Sequence, residues 1–129
     1  MPQTLARVAL LVREYDEALD WFTGVLGFTC LEDSPREAGK RWVVVAPPGA
    51  KEAALLLARA ATEAQAAHVG RQGGGRVWLF LHTDDFNRDY AALRGRGVEF
   101  LEVPRVEPYG TVVVFEDLYG NKWDLIEPD

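Results

Sequence analysis

The chain has 129 residues, a formal net charge of −6 at pH 7 and a hydrophobic content of 48%. This length suits one ordinary domain with a buried core. Nucleic acids and anionic membranes attract basic surfaces, so the acidic balance argues against both as partners. No apolar run approaches the ~20 residues that span a bilayer, and we expect no secretory signal. Cys30 is the only cysteine, which favours a reducing compartment and predicts a cytoplasmic protein.

The first half of the chain predicts a strand, a helix and three further strands. Leu5–Val12 is aliphatic except for Arg7, as in a buried strand. Apolar residues then recur at the spacing of a helix, behind acids in its first turn. Gly27 stands where a helix ends in left-handed backbone. The following strands are predicted at Phe28–Leu31, Trp42–Val45 and Ala53–Leu57, with a polar turn at residues 33–40 between the first two.

The second half predicts the same series of elements. A strand at Val77–His82 precedes a helix that Asp85 caps, and apolar side chains recur along one face of that helix. Gly97 ends it. The remaining strands are predicted at Val98–Leu101, Thr111–Phe115 and Lys122–Ile126, the last after a turn at residues 117–121.

The two halves align with each other. Residues 27–32 match residues 97–102, and residues 14–16 match residues 85–87, at almost the same offset. A run of valines also precedes a turn in each half. A repeat of this length indicates tandem units, each too small to bury its own sheet face.

We therefore predict an α+β fold in which two tandem βαβββ modules form an open eight-stranded mixed sheet. The modules are predicted at residues 1–58 and 76–129. Residues 59–75 form the connection, a short linker helix followed by a glycine-rich turn. The glycines precede a strand instead of opening a helix, so they do not indicate a phosphate-binding loop.

Three segments resemble the glyoxalase/bleomycin-resistance/dioxygenase superfamily, also called the vicinal oxygen chelate fold. Residues 16–28 resemble its first helix, with an aromatic pair and a Leu-Gly-Phe ending. Residues 84–99 resemble the second helix and the strand after it, and residues 108–125 resemble the closing hairpin. The resemblance covers nearly the whole chain and implies the glyoxalase-like fold.

The resemblance also implies where a metal ion would bind. Catalytic members hold a divalent cation with His and Glu side chains from the first and fourth strands of each module. Here those positions fall on Arg7, Leu55–Leu57, Trp78 and Asp124. A guanidinium group has no lone pair to donate, and one carboxylate does not make a metal site. We predict that no metal or other cofactor is bound.

Seven residues are predicted to bind a ligand. Arg7 interrupts an apolar strand, either as a clamp for an anion or as the ion-pair partner of Asp124. His82 alternates with Trp78 along one strand and is a possible base or ligand contact. The full set is Arg7, Trp42, Trp78, His82, Tyr109, Phe115 and Asp124.

These features predict a metal-independent small-molecule binding protein that forms a homodimer. The acidic charge favours a cationic ligand, whereas Arg7 favours an anionic or zwitterionic one. One alternative is a metal-dependent lyase, isomerase or dioxygenase that uses His82, Asp84 and Asp124. Another is a dimeric scaffold with a filled core. The sequence leaves open whether the protein catalyses a reaction, and it does not name the ligand.

Overall fold

The computed structural model describes residues 2–50 and 52–129. Contacts divide the chain into two compact units, unit 1 (residues 1–69) and unit 2 (residues 70–129). The boundary lies within the predicted connection at residues 59–75. None of the helices in the described part of the chain has the length and apolar character needed to cross a lipid bilayer.

Unit 1 contains a four-stranded mixed sheet in the order β1-β4-β3-β2, in which β1 and β4 are parallel and the other pairs are antiparallel. A π-helical turn at Trp21–Val25 continues the first helix. The backbone of Gly27 there has a φ of 85°, as the sequence predicts. The elements are β1 (Arg7–Val12), α1 (Tyr15–Asp20), β2 (Thr29–Pro35), β3 (Arg41–Ala46), β4 (Ala54–Arg59) and α2 (Glu63–Ala67).

Unit 2 repeats this arrangement with one additional strand. Four strands of its five-stranded sheet lie in the order β5-β9-β8-β6, with β5 and β9 parallel. The fifth strand, β7, also pairs with β8. The sequence does not predict β7. The elements are β5 (Val77–His82), α3 (Phe86–Gly95), β6 (Glu99–Phe100), β7 (Arg105–Glu107), β8 (Gly110–Glu116) and β9 (Lys122–Pro128).

The α+β class and the tandem modules are thus confirmed. The predicted single eight-stranded sheet is wrong in detail: the described residues form one sheet of four strands and one of five, because β7 adds a strand to the second module. One boundary differs clearly. Residues 33–35 are predicted as a turn but extend β2, because they pair with Arg41–Val43 across the hairpin and the guanidinium of Arg41 binds Asp33. The predicted cap of α3 is present, since the Asp85 carboxylate accepts a hydrogen bond from the Arg88 backbone N–H at 3.1 Å.

Strand alternation gives each sheet two distinct faces. In unit 1, Val43 and Val45 on one face and Val44 and Ala46 on the other are all buried. Small side chains cover the second face, where Val44, Ala46 and Ala54 form a cluster with the half-buried Leu56.

Candidate functional site

The most unusual polar group of unit 2 is the carboxyl group of Asp124 on β9. The sheet register places Asp124 beside Val114 of β8 and Phe80 of β5. Only 7% of Asp124 is exposed, and its Oδ1 atom has no hydrogen-bond partner among the described residues. Buried polar atoms are nearly always hydrogen-bonded, so a buried carboxyl oxygen without a partner indicates a position where a ligand atom can bind.

The surroundings of Asp124 bias its carboxyl group towards the neutral form. Burial raises the pKa of Asp124, the charge of Arg105 lowers it, and the charge of Glu102 raises it again; the net shift is upward. The protonated group can donate a hydrogen bond, and the ionised group can bind a ligand cation. Asp124 is therefore suited to bind an amine or hydroxyl group of a ligand through its Oδ1 atom.

The charge of Arg105, on β7, acts on Asp124, and Arg105 also contacts Tyr109, another residue predicted to bind a ligand. Its Nε donates to Glu102 at 2.9 Å, and its Nη1 lies 3.4 Å from the hydroxyl of Tyr109. Tyr109 is 52% exposed. Sequence reasoning missed Arg105 because it belongs to the unpredicted strand β7, for which the only signal was the alternation of charged and apolar residues at 105–107. Glu102 lies in the bend before that strand.

The remaining predicted residues of unit 2 have different surroundings. Phe115 is 0% exposed and stacks on Trp123 with their ring centroids 5.7 Å apart, on the sheet face opposite Asp124. The register therefore does not bring Phe115 to the face that carries Asp124. Trp78 is half-buried, and a Cβ atom added at Gly73 would lie 2.8 Å from its Cβ, so a glycine is needed there. His82 is exposed at the end of β5.

Arg7 lies at the start of β1 in unit 1 and is exposed. Its Nη1 donates to the carbonyl oxygen of Ala6 at 3.0 Å. It lines a cavity of about 110 Å³ that Glu52 also lines, yet no carboxylate of the described residues in unit 1 forms an ion pair with it. The pair that the sequence suggests with Asp124 would join residues of different units and stays a prediction.

Trp42 lines a much larger groove in unit 1, of about 620 Å³. Its ring is 37% exposed, and the Arg36 guanidinium lies 5.6 Å from the ring centroid. The Tyr15 ring lines the same groove, with the guanidinium of Arg59 at 5.0 Å. We call this surface the Trp42 groove. Sequence reasoning found its tryptophan but not its cations, which come from separate strands and a turn.

The residues at the four implied metal positions do not fit a divalent cation. Arg7 offers only donors, Leu55–Leu57 and Trp78 offer no oxygen or imidazole ligand, and Asp124 supplies a single carboxylate. Within residues 2–50 and 52–129, no group of three His, Cys, Asp or Glu side chains could hold a metal ion. This includes the alternative set of His82, Asp84 and Asp124.

Solved structures of similar proteins share this fold. UcmS2 is 28% identical, with a TM-score of 0.85 over 98% of this chain and 99% of that protein. TnmS3, an antibiotic binding protein from Streptomyces sp. CB03234, is 30% identical, with a TM-score of 0.81 over 99% of this chain and 98% of that protein.

Sequence comparison identifies relatives over nearly the full length. A protein of Shewanella frigidimarina is 51% identical over 128 residues, which are 98% of this chain and 95% of the relative. The sequence profile of one family matches residues 4–125. With a match of that extent, the chain belongs to the Glyoxalase/Bleomycin resistance protein/Dioxygenase superfamily.

Proposed function

We propose that this protein binds a small organic molecule without a metal ion and acts as a binding protein; its structural relative TnmS3 is an antibiotic binding protein. The observation that carries the proposal is Asp124, a buried carboxyl group with no partner for Oδ1 at the one implied metal position that retains an acid. A buried carboxyl group without a partner costs stability, and proteins keep such groups where function needs them.

The neighbours of Asp124 suit an organic ligand that carries a basic or hydroxyl group. Phe80 shares its sheet face and is 56% exposed, so it offers an exposed apolar wall to a ligand. The raised pKa of Asp124 lets the carboxyl group donate a hydrogen bond or, once ionised, bind an amine. Arg105 is held by Glu102 and Glu107 at 2.9 and 3.3 Å, so it does not neutralise Asp124 directly.

A titration with amine-bearing antibiotics tests this proposal. Puromycin, bleomycin A2 and doxorubicin are added to the protein after dialysis against EDTA, and tryptophan fluorescence and thermal unfolding are recorded. We expect at least one of them to give a saturable change and to raise the Tm, since a ligand that binds only the folded state stabilises it. If none of the three gives a saturable change, the proposal is wrong.

We also propose that the protein acts in the cytoplasm as a homodimer. Its single cysteine, Cys30, is exposed, which suits a reducing compartment. Val103 and Val106 are exposed apolar side chains near one edge of unit 2, and burying them against a second copy would be favourable. Light scattering should give twice the mass of one chain, and Val106→Asp should shift the mass towards that of the monomer. A monomeric mass for the unmodified protein contradicts this.

A further inference from the structure

We infer that the Trp42 groove of unit 1 is a binding site for a planar aromatic anion, meaning a flat ring system that carries a sulfonate or carboxylate group. This inference stands apart from the proposed function, which depends on Asp124 in unit 2. The groove volume of about 620 Å³ lies within the range of small-molecule sites, roughly 300–1,000 Å³. Its walls combine aromatic and cationic side chains, and each has a distinct role.

The aromatic part of the groove is Trp42 and the small residues beside it. Trp42 extends from β3, and the neighbouring strand β4 contributes Leu56 and Ala58 to the lining. Ala60 and Ala61 continue this small-residue surface, which leaves space next to the indole ring. A partly exposed indole ring beside an alanine-lined wall is suited to stacking with a flat ring, which would share the indole with the Arg36 guanidinium.

Four cations line the groove, and two of them are already held by acids. Arg41 binds Asp16 at 2.7 Å and Asp33 at 2.8 Å. Arg59 lies 3.6 Å from Glu14. None of these three carboxylates is part of the groove lining. Arg41 and Arg59 are therefore anchored by acids that lie outside the lining of the groove.

The other two cations, Arg36 and Lys40, make no strong ion pair with the described residues. Arg36 makes one loose ion pair with Glu32, at 3.8 Å, and its guanidinium lies 5.6 Å from the centroid of the Trp42 ring. Lys40 is exposed, and no ion pair engages it within residues 2–50 and 52–129. A ligand acid placed between Arg36 and Lys40 would gain charge-assisted hydrogen bonds without breaking a strong existing pair.

The turn that carries these two cations is fixed by its own backbone. The Arg36 N–H donates to the carbonyl oxygen of Lys40 at 2.7 Å, and the Lys40 N–H donates to that of Glu37 at 3.1 Å. Both cations therefore start from one closed turn at the rim of the groove. Their placement beside Trp42 needs little reorganisation on binding, which favours affinity. The ring of the ligand would contact Trp42 while its acid contacts the turn.

Anthraquinone-2-sulfonate is the probe for this site, with neutral 2-(hydroxymethyl)anthraquinone as its uncharged counterpart. Calorimetry and quenching of the tryptophan fluorescence should show that the sulfonate binds and that the neutral compound binds about tenfold more weakly. Trp42→Ala and Lys40→Glu should each weaken sulfonate binding about tenfold or more. Trp42→Phe should retain part of the affinity. Arg71→Glu, an exposed charge reversal in unit 2, is the matched control and should change nothing.

Several results would overturn the inference: no binding of the sulfonate by the unmodified protein, equal binding of the neutral compound, or unchanged binding by Trp42→Ala or Lys40→Glu. Urea denaturation shows whether each variant is folded. If Trp42→Ala does not fold, Trp42→Phe replaces it in the binding test. Asp124→Asn should leave sulfonate binding unchanged. That variant separates this site from the proposed function, because only antibiotic binding should then be weakened.

Discussion

Replacing Asp117 by alanine should destabilise the protein by about 3 kcal/mol. The Asp117 carboxylate is 5% exposed and lies in the turn between β8 and β9. It accepts hydrogen bonds from the Tyr119 and Asn121 backbone N–H groups at 3.0 Å, the Asn121 side chain at 3.0 Å and the Trp123 indole at 3.1 Å. Alanine removes the acceptor of all four donors, and two of their residues, Asn121 and Trp123, are buried.

Urea denaturation measures this loss, and Tm should fall by roughly 10–15 °C. Asp117→Asn is the variant to compare, because its amide keeps one acceptor oxygen. Its free energy of unfolding should fall by about half as much, or roughly 1–2 kcal/mol. The turn matters for the site because it joins the two strands whose register places Asp124 beside Val114. A loss below about 1 kcal/mol for Asp117→Ala would show that the network contributes little.

Replacing Asp124 by asparagine should stabilise the protein at about pH 7.5, by on the order of 1 kcal/mol, while weakening antibiotic binding by about tenfold or more. Burial raises the pKa of Asp124, so the folded state holds this proton to a higher pH than the unfolded state does. The group's favourable contribution is complete below the unfolded pKa. It is lost as the pH rises through the folded pKa, because the buried carboxylate must then ionise.

Asparagine does not ionise. The free energy of unfolding of the two proteins should therefore differ more at about pH 7.5 than at about pH 4, because the unfolded carboxyl group releases its proton at a lower pH than the buried one. Urea denaturation at both pH values measures the difference. Asp20→Asn, which changes an exposed carboxyl group, is the control and should have little effect at either pH. A destabilised Asp124→Asn protein, or one that binds antibiotic as tightly as the original, would remove Asp124 from the site.

The fold could be predicted because its determinants are local and repeated. Strand alternation, the helical spacing of apolar residues and glycines such as Gly27 each act over a few residues, and the second half of the chain supplies an independent copy. Strand β7 could not be predicted because its three residues, Arg105–Glu107, are too few for an alternation of apolar and polar side chains to indicate a strand. Its pairing is decided by contact with β8.

The candidate site could be predicted only in part, because it depends on register and on loops. Alternation along β9 is enough to predict that Asp124 faces one side of the sheet. That Phe115 faces the other side follows only from the register, which pairs Asp124 with Val114. Three cations of the Trp42 groove lie within residues 36–41, and the fourth, Arg59, lies at the end of the next strand, β4. No periodicity in the sequence indicates that such residues meet.

Metal analysis and ligand titration on one preparation test metal-independent binding most directly. The purified protein is analysed for Fe, Zn, Ni and Mn, and the tightest-binding antibiotic of the panel is titrated before and after dialysis against excess EDTA. We expect substoichiometric metal and the same affinity in both titrations, because the residues at the implied metal positions offer one carboxylate. One equivalent of metal that survives dialysis, or binding that EDTA abolishes, would contradict this.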